Sequence, residues 1–322
     1  MIGLGEDGLA GLSEASRKAL HEAEVIFGGP RHLDLVLAGD RGQPWPVPFS
    51  TQPVLELRGS PVVVLASGDP FWHGAGGSLM GDLDPHEWVS HPVPSCFALA
   101  ANRLGWKLED TLCLGLHAAP YAKLLPLLGR GTRVICTLRD GAAPAELARW
   151  LVENGQDAAR IHVMERLGGP RERLFQATAR EWDLPPGGAP VLVAIEATQP
   201  GLPQASGLAD AHFASDGQIT KRPIRALTLS ALAPRRGELL WDIGGGSGSV
   251  SVEWCLAAAG ARAISFEPRT ERLENIRANA ARFGLSHRMA AMQGKAPEVL
   301  TGHALPDCVF IGGGASQPML DQ

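Results

Sequence analysis

The sequence predicts an α/β protein of two domains, and three observations carry that reading. Its 322 residues, 45% of them hydrophobic, suffice for two separate cores. Short β-rich apolar runs alternate with amphipathic segments along the chain. Twice such a run empties into a glycine-rich turn, at Met1-Ile2-Gly3-Leu4-Gly5 and at Leu239-Leu240-Trp241-Asp242-Ile243-Gly244-Gly245-Gly246-Ser247-Gly248.

In the first part, strands are expected over 24–27, 61–66, 87–91, 111–116, 132–138, 160–166 and 190–197. Helices are expected over 13–23, 95–104, 143–154 and 173–182, with Ser13 as a plain N-cap and Pro144 in a first turn. Two prolines and two glycines over 198–215 mark a boundary, so the expected division is a domain over 1–200, a linker over 201–216 and a domain over 217–322. The last part reads helix 222–233, strand 238–243, helix 249–259, strand 263–267, helix 271–283, strand 288–293, helix 297–301 and strand 307–311. That alternation calls for a parallel sheet. Its fourth strand would be an uncovered edge, and only two residues precede Gly3, so the chain is expected to be cut short at both ends.

A net charge of −5 without long like-charged runs disfavours a nucleic-acid partner. No apolar stretch is long enough for a membrane helix and no secretory signal opens the chain, so a cytoplasmic protein without a membrane partner is expected. Five scattered cysteines read as reduced and mostly buried. Ten histidines show no ligand spacing, so no metal is expected and the cofactor should be organic.

Glycines at alternate positions after a strand let the backbone turn tightly and approach a ligand without a Cβ in the way. Gly244, Gly246 and Gly248 follow the strand that carries Asp242, and Glu267 stands about 20 positions on, where ribose hydroxyls are held. Gly294-Lys295-Ala296 follows the third strand, and Asp307 through Gly314 lies at the fourth. All these positions fall at carboxyl ends of strands, where open α/β sheets bind ligands. The set resembles the class I S-adenosylmethionine-dependent methyltransferases, with a Rossmann-like fold and a turn similar to Asp-x-Gly-x-Gly-x-Gly. A dinucleotide-binding turn, as in an NAD(P)-linked oxidoreductase, is the rival; it needs a glycine where Ser249 stands.

The first part carries Gly3-Leu4-Gly5-Glu6-Asp7-Gly8, then Ser67-Gly68-Asp69-Pro70 after an apolar strand, then Pro94-Ser95 opening a helix. These are similar to motifs of the tetrapyrrole (class III) methylases, in which S-adenosylmethionine lies folded between two α/β lobes. The order of the two sets, with the phrases at 25–33 and 216–222, resembles the bifunctional, decarboxylating precorrin C5,15-methyltransferases of vitamin B12 synthesis over essentially the whole chain.

The resemblance implies methylation of a tetrapyrrole at C5 by the first domain. It implies methylation at C15 with loss of carbon dioxide from the C12 acetate by the second (precorrin-6Y to precorrin-8X), on a metal-free or a cobalt-carrying substrate. S-adenosylmethionine is the implied cofactor, and a homo-oligomer is expected. In the first domain Gly5 and Gly8 would shape a loop, Ser67, Gly68 and Asp69 would meet the cofactor through backbone groups, and Pro94 and Ser95 would line the cleft. In the second, Gly244, Gly246 and Gly248 would hold the methionine part, Glu267 the ribose, and Lys295 and Ala296 the adenine edge. Asp242 would hold the turn or the cofactor's amino group.

A substrate with many carboxylates needs local cations, and Lys221, Arg222 and Arg225 are the candidates, arginine being suited to bidentate contact. His117 at a strand end is a weaker candidate for the cleft. No residue is singled out as catalytic, since methyl transfer from a sulfonium needs mainly orientation.

Overall fold

A computed structural model describes residues 1–313, Ala315 and Gln317, and divides the chain into two units. Unit 1 comprises Met1–Ala119 and Gly131–Thr198; unit 2 comprises Pro120–Arg130 and the chain from Gln199 onward.

Unit 1 holds two sheets. Strands β1 (Ile2–Leu4), β2 (Val25–Gly28), β3 (Gly42–Pro44) and β4 (Val62–Ser67) form an all-parallel sheet in the order β1-β4-β2-β3. Helices α1 (Glu14–Glu22), α2 (Pro30–Leu35), α3 (Gln52–Leu55) and α4 (Ala75–Leu79) accompany it. The Ser13 hydroxyl accepts from the Ser16 amide at 3.1 Å, the N-cap read from the sequence. Residues Ile2, Leu4, Ile26, Val63 and Leu65 pack with Leu20 of α1 into one core.

The second sheet contains β5 (Leu112–Gly115), β6 (Arg133–Leu138), β7 (Arg160–Glu165), β8 (Arg173–Thr178) and β9 (Val191–Glu196), in the order β5-β6-β9-β7-β8. Only β5 and β6 are parallel. Helices α5 (Cys96–Leu104) and α6 (Ala143–Glu153) belong with it, and Phe97 and Ala100 of α5 pack on Ile135, Met164, Leu192 and Ala194.

Two expectations for this unit fail. The segment 173–182 opens as strand β8, antiparallel to β7, not as a helix. Leu174 and Ala177 imitate helical spacing, but Leu174 is exposed while Phe175 and Ala177 are partly buried, so the burial alternates as a half-covered strand requires. The segment 87–91 contributes one bridge, His91 to Ile2, and no strand.

A close approach explains the first glycine turn. A Cβ on Gly3 would lie 1.8 Å from the Gly68 carbonyl oxygen, because the loop after β4 folds over the end of β1. Gly3→Ala is expected to destabilise unit 1 by about 2 kcal/mol or more, read as a lowered urea midpoint of its transition. An unshifted midpoint would mean that this approach is loose.

Unit 2 is built on one parallel sheet of β10 (Leu239–Ile243), β11 (Arg262–Glu267), β12 (Met289–Gln293) and β13 (Cys308–Ile311), ordered β12-β11-β10-β13. Among the described residues β13 is an edge, and its Val309 is 45% exposed. Helices α7 (Arg222–Leu232), α8 (Ser249–Ala257) and α9 (Thr270–Arg282) alternate with the strands, and the helix expected over 297–301 is a short 3-10 turn at Glu298–Leu300. Seven consecutive residues of α8, Ser249 through Cys255, are buried, so this helix has no solvent face before its last two residues.

The expected linker over 201–216 is instead part of this unit. Leu208 and Phe213 enter its core, and the amides of Gly207 and Leu208 donate to Glu253 on α8. Glycine and proline reported irregular backbone correctly but said nothing about burial. The chain from Pro120 to Arg130 also belongs here, with Leu125 packed against the same core.

Candidate functional site

A cavity of about 500 Å³ opens at the carboxyl ends of the four strands of unit 2. Gly244 and Gly246 line it with φ of 71° and 57°, left-handed values that favour glycine. A Cβ on Gly244 would stand 3.1 Å from the backbone N and O of Gly313, inside the cradle. Glu267, 3% exposed, ends β11; its Oε2 accepts from the Gly246 amide at 3.0 Å and its Oε1 from the Arg269 amide at 3.1 Å. Each carboxylate oxygen keeps capacity for a further donor. Lys295, Arg269 and Arg272 complete the polar wall with Thr220, and Ile219, Phe266, Ala296 and Phe310 add apolar surface.

The structure thus gathers Gly244, Gly246, Glu267, Lys295 and Ala296, as the sequence predicts. Five other predicted residues lie elsewhere. Arg225 is fully buried: its Nε donates to Glu253 Oε1 at 2.6 Å, its Nη1 to Asp210 Oδ1 at 3.1 Å, and its guanidinium lies over Phe213. It neutralises a carboxylate inside the protein and is not available to substrate. Lys221 and Arg222 are exposed at the start of α7, next in sequence to Thr220 but outside the lining. Gly248 caps α8, and a Cβ there would press on Ile276 at 3.1 Å; it serves helix packing. Gly314 lies outside the described residues.

Asp242 is 1% exposed and does not reach the cavity. Its Oδ2 accepts from Ser251 Oγ at 2.7 Å, and Ser251 lies 2.8 Å from Ser265 Oγ, tying β10, α8 and β11 together. Among the described residues its Oδ1 has no partner. Burial pushes its pKa from 3.8 to about 6, against the Ser251 hydrogen bond and with help from the Glu267 charge. Since the folded-state value is the higher one, the stabilising contribution is complete below pH 3.8 and is lost as pH rises through about 6. The shift corresponds to about 3 kcal/mol. Asp242→Asn is expected to flatten that decline in unit 2 stability, and an unchanged slope of urea midpoint against pH counts against the assignment.

Unit 1 has its own cavity, about 630 Å³, between its two sheets. Gly5, Ser67, Gly68, Pro94, Ser95 and His117 line it, as expected. Two predicted residues do not: Gly8 packs beneath Leu35, and Asp69 accepts from the Phe71 amide at 2.8 Å, holding the loop that carries Ser67 and Gly68. Ser95 also caps α5 by accepting from the Ala98 amide at 3.2 Å.

The sequence reading missed the charged group in this cavity. Arg31 Nη1 pairs with Glu6, and Nη2 donates to Ser67 Oγ at 2.8 Å and to His32 Nε2 at 2.7 Å. Arginine only donates, so the Nε2 atom accepts and the neutral ring carries its proton on Nδ1. Burial, then the Arg31 charge, pushes the His32 pKa down to about 4. Trp45, Phe49 and Trp72 give the remaining wall an aromatic character. The sole signal for the cluster was the phrase Gly29-Pro30-Arg31-His32, which follows β2 as Gly68-Asp69 follows β4. Among the described residues no three His, Cys, Asp or Glu side chains gather as a metal site.

Comparison with known proteins bears on both cavities. A family described as "Tetrapyrrole (Corrin/Porphyrin) Methylases" matches residues 1–183. A Sinorhizobium protein named precorrin-6Y C(5,15)-methyltransferase (decarboxylating) is 45% identical over 98% of this chain and 78% of its own length. This chain belongs to the precorrin-6Y C(5,15)-methyltransferase family. The Mycobacterium tuberculosis H37Rv member of the family is 40% identical over 99% of this chain and 82% of its own length. A "Precorrin methyltransferase domain" matches residues 211–322, so the two cavities lie in two different methyltransferase domains. The crystal structure of the C-terminal domain of the family member from Rhodobacter capsulatus is 64% identical over 37% of this chain and 64% of that chain, with a TM-score of 0.36.

Proposed function

We propose that this chain methylates a precorrin-6Y-type tetrapyrrole twice and decarboxylates it once. The first unit acts at C5. The second acts at C15 and releases carbon dioxide from the C12 acetate. The observation that carries this reading is the 45% identity to a relative named for both transfers, extending over 98% of the chain and so across both cavities.

S-adenosylmethionine is the proposed donor in both units; when bound it supplies an electrophilic methyl on a sulfonium. The residues of unit 2 fit its parts. Gly244 and Gly246 leave room for the methionine portion, the spare capacity of the Glu267 carboxylate suits a ribose diol, and Lys295-Ala296 flanks the adenine. In unit 1 the backbone at Gly5, Ser67, Gly68, Pro94 and Ser95 meets the cofactor, while Trp45, Phe49 and Trp72 suit a flat macrocycle. Substrate carboxylates go to Arg31 in the first cavity, and to Arg269 with the exposed Lys221 and Arg222 for the second. Holding the ring carbon in line with the methyl group is the main work of the protein, a contribution of several kcal/mol.

Mass spectrometry of the product from precorrin-6Y and S-adenosylmethionine tests the reading, with the cobalt-loaded substrate in parallel. Two methyl gains and one carbon dioxide loss are expected. An unmodified product from both substrates would overturn it.

A further inference from the structure

We propose that His73, with His117 beside it, accepts the proton that leaves the bridge carbon C5 when the first unit methylates it, an inference that rests on the methyl-transfer reading of that cavity. Exchanging C–H for C–CH₃ must release a proton. The C–CH₃ bond forms as the CH₃–S⁺ bond breaks, and the electron pair of that bond stays on sulfur. The C–H pair then returns to the conjugated ring and the proton passes to a base.

Among the described residues six titratable side chains line the cavity: Glu6, Arg31, His32, His73, Cys96 and His117. Glu6 is held in the ion pair with Arg31, and the Nε2 lone pair of His32 is taken by the same arginine. Burial pushes the Cys96 thiol up to about 11, so it stays protonated. The two other histidines are the bases left facing the cavity.

They reach it from different elements, His73 from the loop between β4 and α4 and His117 from just past β5. Both close on the face of Gly115 that bears no side chain. A Cβ there would lie 3.4 Å from Cε1 of His73 and 3.5 Å from Cε1 of His117. The backbone of His73 is left-handed, with φ of 56°, a conformation that residues with side chains rarely keep without a reason. Its ring stands 6.1 Å from that of Phe97, and His117 Nδ1 is 3.4 Å from Thr137 Oγ1; Phe97 and Thr137 also line the cavity. Both histidines are exposed, so a proton taken from the substrate passes on to water.

The test uses the full chain with His73→Asn, which tolerates a left-handed backbone, His117→Gln, and the double variant. The double variant is expected to lose roughly a hundredfold in kcat for C5 methylation, with KM and S-adenosylhomocysteine affinity unchanged. A substrate deuterated at C5 is expected to reveal an isotope effect on kcat larger than in the unaltered protein, because proton removal becomes slow. A purely structural role would not produce that effect. If His73→Asn also loses S-adenosylhomocysteine affinity, His117→Gln alone decides: a lowered kcat with the enlarged isotope effect supports the proposal and wild-type values overturn it. Unaltered kcat and isotope effect in all three variants overturn it too. Absence of any C5 methyl gain with the unaltered protein would sink the underlying methyl-transfer reading instead.

Discussion

Arg225→Ala is expected to cost unit 2 about 3–5 kcal/mol, enough to leave much of it unfolded at ordinary temperature. The cause starts with α8. Because that helix is buried on all sides, Glu253 sits at 3% exposure and its charge cannot be hydrated. Its carboxylate accepts from the Gly207 amide at 2.5 Å and the Leu208 amide at 3.0 Å, but Arg225 brings the neutralising charge. The same guanidinium donates to the carbonyls of Leu208 and Thr220, which alanine would orphan. Equilibrium unfolding with a probe specific to unit 2 measures the loss. The double variant Arg225→Met with Glu253→Leu should recover part of it, since both charges then leave together. A loss below about 1 kcal/mol for the single variant would place this pair among surface ion pairs and refute the account.

Glu267→Ala should separate the two activities. The substitution deprives the Gly246 and Arg269 amides of their acceptor and, on the proposed reading, removes the ribose contact, so the loop loses its anchor as well as its ligand contact. About 3 kcal/mol, or roughly a hundredfold in S-adenosylhomocysteine affinity of unit 2, is expected from charge-assisted bonds of this kind. Unit 1 is left intact. The product should therefore gain one methyl and keep its carbon dioxide. Loss of both methyl gains, or retention of both, would contradict the assignment.

What could be read from the sequence follows from how local each physical demand is. Gly244, Gly246 and Glu267 were legible because a tight turn and an acid at the next strand end leave their mark within one strand-helix-strand stretch. Arg225 was misassigned because its partner, Glu253, stands 28 positions away on a helix whose complete burial appears only in three dimensions. The segment holding Leu208 and Phe213 looked like a linker, since its composition reports backbone irregularity and not the core those two side chains enter. Strand β8 defeats the helical reading because Leu174 and Ala177, three apart, match a helical period, whereas its covered face carries Phe175 and Ala177, two apart. The cluster of Glu6, Arg31 and His32 was visible only as a phrase, its members being joined by folding from two strand ends.

The two cavities differ in their walls. One is bordered by Trp45, Phe49 and Trp72 around the cation Arg31, whereas the other presents Glu267, Lys295, Arg269 and Arg272. If both draw on one donor, as proposed, they need not therefore share inhibitors. A donor analogue extended by a bulky aromatic group suits the first wall, and one extended by an anion suits the second. Each half-reaction could then be silenced by itself, and the intermediate between the two steps would accumulate for isolation.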